Sequence, residues 1–73
     1  MVVAQQRANR ERRGRDLTPA ELETIADASV LAEWCAAAWV LLDQPGVTRG
    51  SIARALDILP SSVGQRLSRH PRA

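Results

Sequence analysis

Apolar residues recur with helical spacing from Thr18 onward, and no stretch alternates with the two-residue period of a strand. The first helix is predicted to begin sharply. Thr18 can cap it, Pro19 suits its first position, and Glu21 three residues later completes a capping box. The helical pattern runs to about Leu42, where the sequence Asp-Gln-Pro-Gly at 43–46 ends it.

The apolar residues of segment 18–43 do not form one stripe when placed at about 100° per residue. One group shares one side: Leu22, Ile25, Ala26, Ala36, Ala37 and Val40. A second group lies nearly opposite: Leu31, Trp34, Cys35, Ala38, Leu41 and Leu42. Either the helix breaks near Asp27–Ser29, with Ser29 capping a second helix, or one continuous scaffold helix buries its second face against another copy. We expect a homodimer seam here, formed by Leu22, Ile25, Ala26, Trp39 and Val40.

Two shorter helices are predicted within segment 48–70. The first begins near Thr48 and ends at about Leu56. A turn over 57–59 follows, and the second helix begins with Pro60 and ends at about Arg69. The residues expected to face the core are Ile52, Ala53, Leu56, Ile58, Val63 and Leu67.

These positions carry a recognisable spacing: Ile52-Ala53-x-x-Leu56-x-Ile58-x-Pro60-Ser61-Ser62-Val63-x-x-x-Leu67. The spacing resembles the helix-turn-helix of bacterial and phage transcription regulators, over about 20 of the 73 residues. Two positions depart from that family. Asp57 stands where glycine is common, and Leu59 stands where serine or threonine often caps the second helix. No strand pattern follows Arg69, so we expect a wingless form.

The resemblance implies that the second of these helices lies in the major groove of DNA. Its groove-facing residues would be Ser61, Ser62, Gln65, Arg66 and Arg69. Gln65 would pair with adenine, and Arg66 or Arg69 with guanine. Arg49, Arg54 and Arg72 would contact the phosphate backbone.

Charge is segregated along the chain although the net charge is only +2. Residues 1–15 carry a net +4, residues 16–45 a net −6, and residues 46–73 a net +4. Basic ends around an acidic middle are typical of a nucleic-acid binder with a separate scaffold, although acidic residues also simply solvate helices. We expect residues 1–15 to form a flexible basic arm that reaches phosphates or a minor groove through Arg12 and Arg13. The alternative is that residues 4–13 form a helix on binding or on dimerisation.

Other classes of function have little support in the sequence. There is one cysteine and one histidine, so neither a disulfide framework nor a metal-ligand cluster is expected. No catalytic residues, cofactor, metal or small-molecule ligand are predicted. No apolar run is long enough to span a membrane, and a cytoplasmic location is expected. Trp34 and Trp39 suit packing rather than a ligand pocket.

The sequence therefore predicts an all-α helical bundle. It comprises an arm over 1–15 and a helix-turn-helix domain over 16–73, with a scaffold helix over 18–43. The predicted function is sequence-specific binding of double-stranded DNA as a homodimer, acting as a transcription repressor or as an architectural factor of a phage or mobile element. The alternative is a protein-interaction module that uses the apolar segment 30–42, with the helix-turn-helix as scaffold only.

Overall fold

The computed structural model describes residues 13–72, and between residues 14 and 72 it contains only helices, turns and loops. The four helices are α1 (Pro19–Ala26), α2 (Leu31–Leu42), α3 (Arg49–Leu56) and α4 (Pro60–Arg69). Helix α1 packs against α2 and α3, and α4 packs against α2 and α3, so the helices surround one core. The predicted all-α fold class is confirmed. None of the described helices has the length and apolarity needed to cross a membrane.

The predicted start of α1 is confirmed in detail. The Thr18 hydroxyl accepts a hydrogen bond from the Glu21 amide (3.2 Å), and the Glu21 carboxylate accepts one from the Thr18 amide (2.8 Å). The guanidinium of Arg15 donates two further bonds to the same carboxylate, at 2.8 and 2.9 Å. The side chain of Arg15, followed by the backbone of Thr18, lowers the pKa of Glu21 to about 2. This carboxylate therefore joins the segment before α1 to its first turn.

Segment 18–43 is two helices, so the continuous scaffold helix is wrong and the predicted break is correct. Helix α1 ends at Ala26, and α2 begins at Leu31 after an N-cap residue, Val30, in extended conformation. Ser29, which was predicted to be the N-cap of the second helix, lies one residue before the observed N-cap, Val30. Its amide and hydroxyl both donate to the carboxylate of Glu33, at 3.2 and 3.3 Å. These bonds stabilise the entry to α2 where Val30 supplies no side-chain cap.

The break lets Ile25 of the first apolar group enter the same core as the second group, while Ala26, Ala36 and Val40 stay exposed. Ile25 of α1 is 1% exposed and Trp34 of α2 is 7% exposed. In one straight helix these two residues would face different sides. The other buried apolar residues complete the core: Cys35, Ala38, Leu41, Val47, Ile52, Ala53, Val63 and Leu67.

The five residues predicted for a homodimer seam separate in the structure. The prediction that Ile25 belongs to the seam is wrong, because Ile25 lies in the chain's own core and offers no area to a second copy. Leu22 and Trp39 are half-buried, and Ala26 is exposed on α1. Val40 is 58% exposed on the outer side of α2.

The bounds predicted for the two later helices are confirmed. Thr48 caps α3 through a reciprocal pair of bonds with Ser51. Asp57 ends α3 in the left-handed conformation, with φ of +57°, which aspartate tolerates better than most residues do. The Ile58 amide then donates to the carbonyl of Ala53 (2.9 Å). Leu59 precedes α4 without a side-chain cap, as its apolar character predicted.

Replacing Glu21 with glutamine tests the ionic part of the α1 cap. The folded chain lowers the pKa of Glu21 from its ordinary value of 4.5 to about 2. Its stabilising effect is therefore complete above pH 4.5 and is lost as the pH falls toward 2. We expect Glu21→Gln to lower the urea midpoint near neutral pH, and the difference from wild type to shrink over that acid range.

The matched control is Glu23→Gln, because Glu23 is an exposed glutamate of the same helix. It has no ion pair with another described residue. This control should leave the urea midpoint nearly unchanged at each pH. A Glu21→Gln difference of constant size between pH 7 and pH 2 would contradict the assignment.

Candidate nucleic-acid interface

The outer face of α4 is polar and open to solvent. Val63 and Leu67 point into the core. On the opposite side of the helix, Ser61, Gln65 and Arg69 are exposed. Three of the five α4 residues predicted to face DNA therefore share the exposed face.

Ser68 belongs to the same face and was missed in the sequence. It is exposed, and its hydroxyl donates to the carbonyl of Gln65 at 2.7 Å. The three-residue spacing from Gln65 places it on this side of a helix. That signal was present in the sequence.

The other two predicted residues, Ser62 and Arg66, are half-buried on the flank of α4 nearest α2. The guanidinium carbon of Arg66 lies 4.8 Å from the centre of the Trp34 ring, a cation–π arrangement. The thiol of Cys35 donates to the carbonyl of Arg66 at 3.3 Å, and burial raises the pKa of that thiol. Both the backbone and the side chain of Arg66 are thus fixed by α2. The N–H groups of a stacked guanidinium lie in its own plane, along its edge, where they can still donate.

Arg49 lies on the opposite flank of α4. A β-carbon built on Gly64 would stand 3.6 Å from the Arg49 guanidinium. Arg49 is exposed and is the first residue of α3. The outer face of α4 therefore lies between two arginines, one contributed by α3 and one by α4 itself.

Arg54 has an intramolecular role that the sequence did not predict. Its Nη1 donates to the carbonyl of Arg13 (2.8 Å) and its Nη2 to the carbonyl of Gly14 (2.9 Å). Its Nε and Nη2 also donate to one oxygen of Asp16, at 3.2 and 3.0 Å. A phosphate contact by Arg54 would compete with these four bonds, and it stays a prediction.

The boundary of the predicted arm also changes. Residues 13–15 were assigned to a flexible arm, yet the amide of Arg15 donates to the carbonyl of Gly46 at 2.8 Å. The side chain of Arg13 is exposed, while its carbonyl is bound by Arg54. Arg12 and the rest of the predicted arm lie outside the described residues.

Three described arginines pair with carboxylates, and the arginines around α4 do not. Arg15 pairs with Glu21, Arg54 with Asp16, and Arg72 with Asp43. Within residues 13–72, no ion pair involves Arg49, Arg66 or Arg69. Among the described residues, no carboxylate neutralises the positive charge beside the outer face of α4.

Arg72, predicted to contact the phosphate backbone, contacts the C-terminal end of α2 in the structure. Its guanidinium lies 5.3 Å from the centre of the Trp39 ring and donates to the Trp39 carbonyl at 3.1 Å. The indole N–H of Trp39 donates to the carbonyl of His70 at 2.8 Å. Trp39 thus fixes the segment after α4 on the surface of α2.

Comparison with known proteins finds no matching family model, no similar curated protein and no similar solved structure. Among the described residues, no group of histidine, cysteine, aspartate or glutamate side chains is arranged to hold a metal ion. The chemistry of the candidate interface consists of hydroxyl, amide and guanidinium groups on one face. Such groups suit recognition of phosphates and base edges.

Replacement by alanine should have opposite effects on stability at Gly64 in α4 and at Gly14 before α1. At Gly64 a β-carbon meets only the Arg49 side chain at an ordinary contact distance. We expect Gly64→Ala to raise the free energy of unfolding by up to about 1 kcal/mol, the helix-propensity difference. Gly14 has φ of +70°, and its β-carbon would stand 2.4 Å from the Ser51 hydroxyl. Gly14→Ala should lower the free energy of unfolding by at least about 1–2 kcal/mol, because the left-handed backbone alone costs that much in a non-glycine residue and the close contact of the β-carbon adds to it.

Urea unfolding of both variants provides the measurement, with each serving as the control for the other. Stabilisation by Gly14→Ala would show that residues 13–16 do not adopt this arrangement. Destabilisation by Gly64→Ala would show that α4 lies closer to its neighbours than described.

Proposed function

We propose that the protein binds double-stranded DNA, with α4 in the major groove, and that it acts as a homodimeric regulator. The observation that carries this proposal is the outer face of α4, where Ser61, Gln65 and Arg69 are exposed together. No described carboxylate pairs with Arg69 or with the flanking Arg49 and Arg66. A polar face bordered by unpaired guanidinium groups is complementary to duplex DNA.

The local geometry of α3 and α4 supports the helix-turn-helix interpretation. Ala53 is buried, and a small side chain at this position lets α3 and α4 pack closely. Asp57 adopts the left-handed conformation at the position where the related motifs often have glycine. Ile58 packs against the core directly after the turn. These features are consistent with the motif and leave its function to be decided by surface chemistry.

Each exposed residue then has a proposed role. Gln65 reads adenine through its amide, and Arg69 or Arg66 reads guanine. Ser61 and the N-terminal amides of α4 contact phosphate, as does Arg49 at the start of α3. Arg66 is fixed by Trp34 before DNA arrives, which reduces the entropy lost when it binds.

A second copy is proposed to pack on the outer face of α2. Ala32, Ala36 and Val40 lie four residues apart on this helix, and all three are exposed. Val40 lies in the last turn of α2 and leaves 58% of its apolar side chain open to solvent. A two-fold dimer would present two copies of α4 to major grooves about 34 Å apart, or a multiple of that.

Binding to duplex DNA tests the main proposal. We expect the association constant to fall steeply as salt rises from about 50 to 200 mM, because arginines displace counterions from phosphates. The measurement is fluorescence anisotropy with a labelled random duplex, followed by selection of preferred sequences from a random pool. Absence of binding at about 50 mM salt would reject DNA binding.

Two single substitutions separate base reading from phosphate contact. Gln65→Ala should reduce discrimination between bases at one position by about 1–3 kcal/mol. Arg49→Gln should weaken binding to all DNA sequences equally. The matched control is Gln44→Ala, an exposed glutamine between α2 and α3. If Gln65→Ala lowered the affinity for selected and for random DNA equally, α4 would be rejected as the helix that recognises the bases.

Sedimentation tests the dimer without DNA. We expect wild-type protein to sediment as a dimer at micromolar concentration, and Val40→Glu to sediment as a monomer because it buries a charge in the interface. Leu59→Glu is the control, since Leu59 is 68% exposed in the turn before α4. A monomeric wild-type protein would reject the dimer. The exposed face of α2 would then favour the alternative function, docking of a partner protein.

A further inference from the structure

The two arginines in the second half of α4, Arg66 and Arg69, differ in how their side chains are held. The guanidinium carbon of Arg66 lies 4.8 Å from the centre of the Trp34 ring. Trp34 is only 7% exposed and belongs to the core, so its ring is a fixed support for that guanidinium. Arg69 is exposed, and within residues 13–72 neither an ion pair nor an aromatic ring holds its guanidinium.

The backbone of Arg66 is held by the same helix that supplies the ring. The thiol of Cys35, which follows Trp34 in α2, donates to the carbonyl of Arg66 at 3.3 Å. The next residue of α4, Leu67, is 2% exposed, so α4 cannot turn about its axis here without exposing apolar surface. Both ends of the Arg66 side chain therefore have fixed positions relative to α2 before any ligand binds.

The ring of Trp34 also stabilises positive charge where carboxylates are absent. Arg66 and Arg69 are three residues apart in one helix, so their like charges are neighbours and repel each other. No described carboxylate pairs with either of them. The negative face of an indole attracts a guanidinium, and more strongly where water is partly excluded, as at the half-buried Arg66.

Arg66 opens onto the same surface as the glutamine proposed to read adenine. Gln65, Arg66 and Arg69 line one shallow cleft together with Ser62 of α4 and Leu31 of α2. Recognition of guanine requires two parallel bonds to its O6 and N7 atoms, and therefore a guanidinium of fixed orientation. The supported Arg66 meets this requirement. The unsupported Arg69 suits a phosphate, whose oxygens accept bonds from many directions.

We propose that Trp34 is a positioning residue that assigns guanine recognition to Arg66 and phosphate contact to Arg69, an inference that rests on the DNA binding proposed above. Trp34 makes no contact with a base. It orients the Arg66 guanidinium, which loses its rotational freedom when the chain folds rather than when DNA binds. Part of the sequence preference therefore resides in α2, outside segment 48–70.

Replacement of single guanines identifies the arginine that reads guanine. The probe is a labelled duplex of the sequence that wild-type protein selects from a random pool, with each guanine exchanged in turn for 7-deazaguanine, which lacks the N7 acceptor. We expect one exchange to weaken wild-type binding by about three- to tenfold, the effect of one lost bond to a charged donor. The same exchange should weaken Arg66→Gln by less than about twofold, and Arg69→Gln as much as wild type.

Substitutions at Trp34 separate positioning from simple loss of packing. We expect Trp34→Leu, which removes the ring, to lower the ratio of affinities for selected and random duplexes by about three- to tenfold. Trp34→Phe keeps a ring face and should retain most of that ratio. In an Arg66→Gln background, Trp34→Leu should change the ratio by less than about twofold, because no guanidinium remains to be oriented.

Trp39→Leu is the matched control, since Trp39 holds Arg72 in a second cation–π contact toward the other end of α2. It should leave the ratio of affinities for selected and random duplexes unchanged. Helical circular dichroism at the assay temperature checks that each variant is folded. If Trp34→Leu is unfolded, fluorinated tryptophan incorporated into a Trp39→Phe protein takes its place. Fluorine weakens the negative ring face while the shape is nearly kept, and should lower the ratio by about twofold or more.

The outcomes separate this inference from the function on which it rests. If wild-type protein binds duplex DNA and loss of the ring lowers the affinity for selected and random duplexes equally, Trp34 only stabilises the fold. If the sensitive guanine becomes silent in Arg69→Gln and not in Arg66→Gln, the assignment of the two arginines is wrong. If wild-type protein does not bind duplex DNA, both the proposed function and the positioning role are rejected.

Discussion

The break between α1 and α2 is the feature on which the rest of the fold depends. Four residues separate the helices, and they allow Ile25 and Trp34 to enter one core from different directions. Burial of such side chains contributes about 1.5–3 kcal/mol each, which is a large share of the stability of a domain this small. On the side of α2 that faces away from this core, Ala32, Ala36 and Val40 stay exposed and form the stripe on which a second copy is proposed to pack. The case for a second copy therefore rests on α2 alone.

The arginines divide into two groups with different physical roles. Arg15, Arg54 and Arg72 each bind a carboxylate and at least one backbone carbonyl, so they join distant parts of the chain. Exposed ion pairs of this kind stabilise little by themselves. Their bonds to carbonyls fix the paths of residues 13–16 and 70–72. The arginines around α4 have no such partner among the described residues, and their charge remains directed outward.

Local chemistry made much of this arrangement predictable. The caps at Thr18 and Thr48, the left-handed Asp57 and the uncapped Leu59 all follow from residues within four positions of each other. The role of Arg54 did not follow, since its partners lie 38 to 41 positions away and an exposed arginine has no periodicity to reveal them. Ile25 was misplaced for a related reason. Helical periodicity identifies an apolar face, but the angle at a break decides what that face meets.

The contacts of residues 13–16 change how the charge pattern of the sequence relates to the fold. Basic residues at both ends of a chain can contribute to one binding surface only if the fold brings the ends together. Here the carbonyl of Arg13 is bound by Thr48, Ser51 and Arg54, so residues 13–16 lie against α3, the helix that precedes α4. The exposed arginines around α4 come from the other end of the sequence. Three carboxylates of the acidic middle segment pair with arginines of the two basic ends: Asp16 with Arg54, Glu21 with Arg15, and Asp43 with Arg72. The charge blocks of the sequence are therefore joined in space by ion pairs, and the arginines around α4 are the described ones that these pairs leave out.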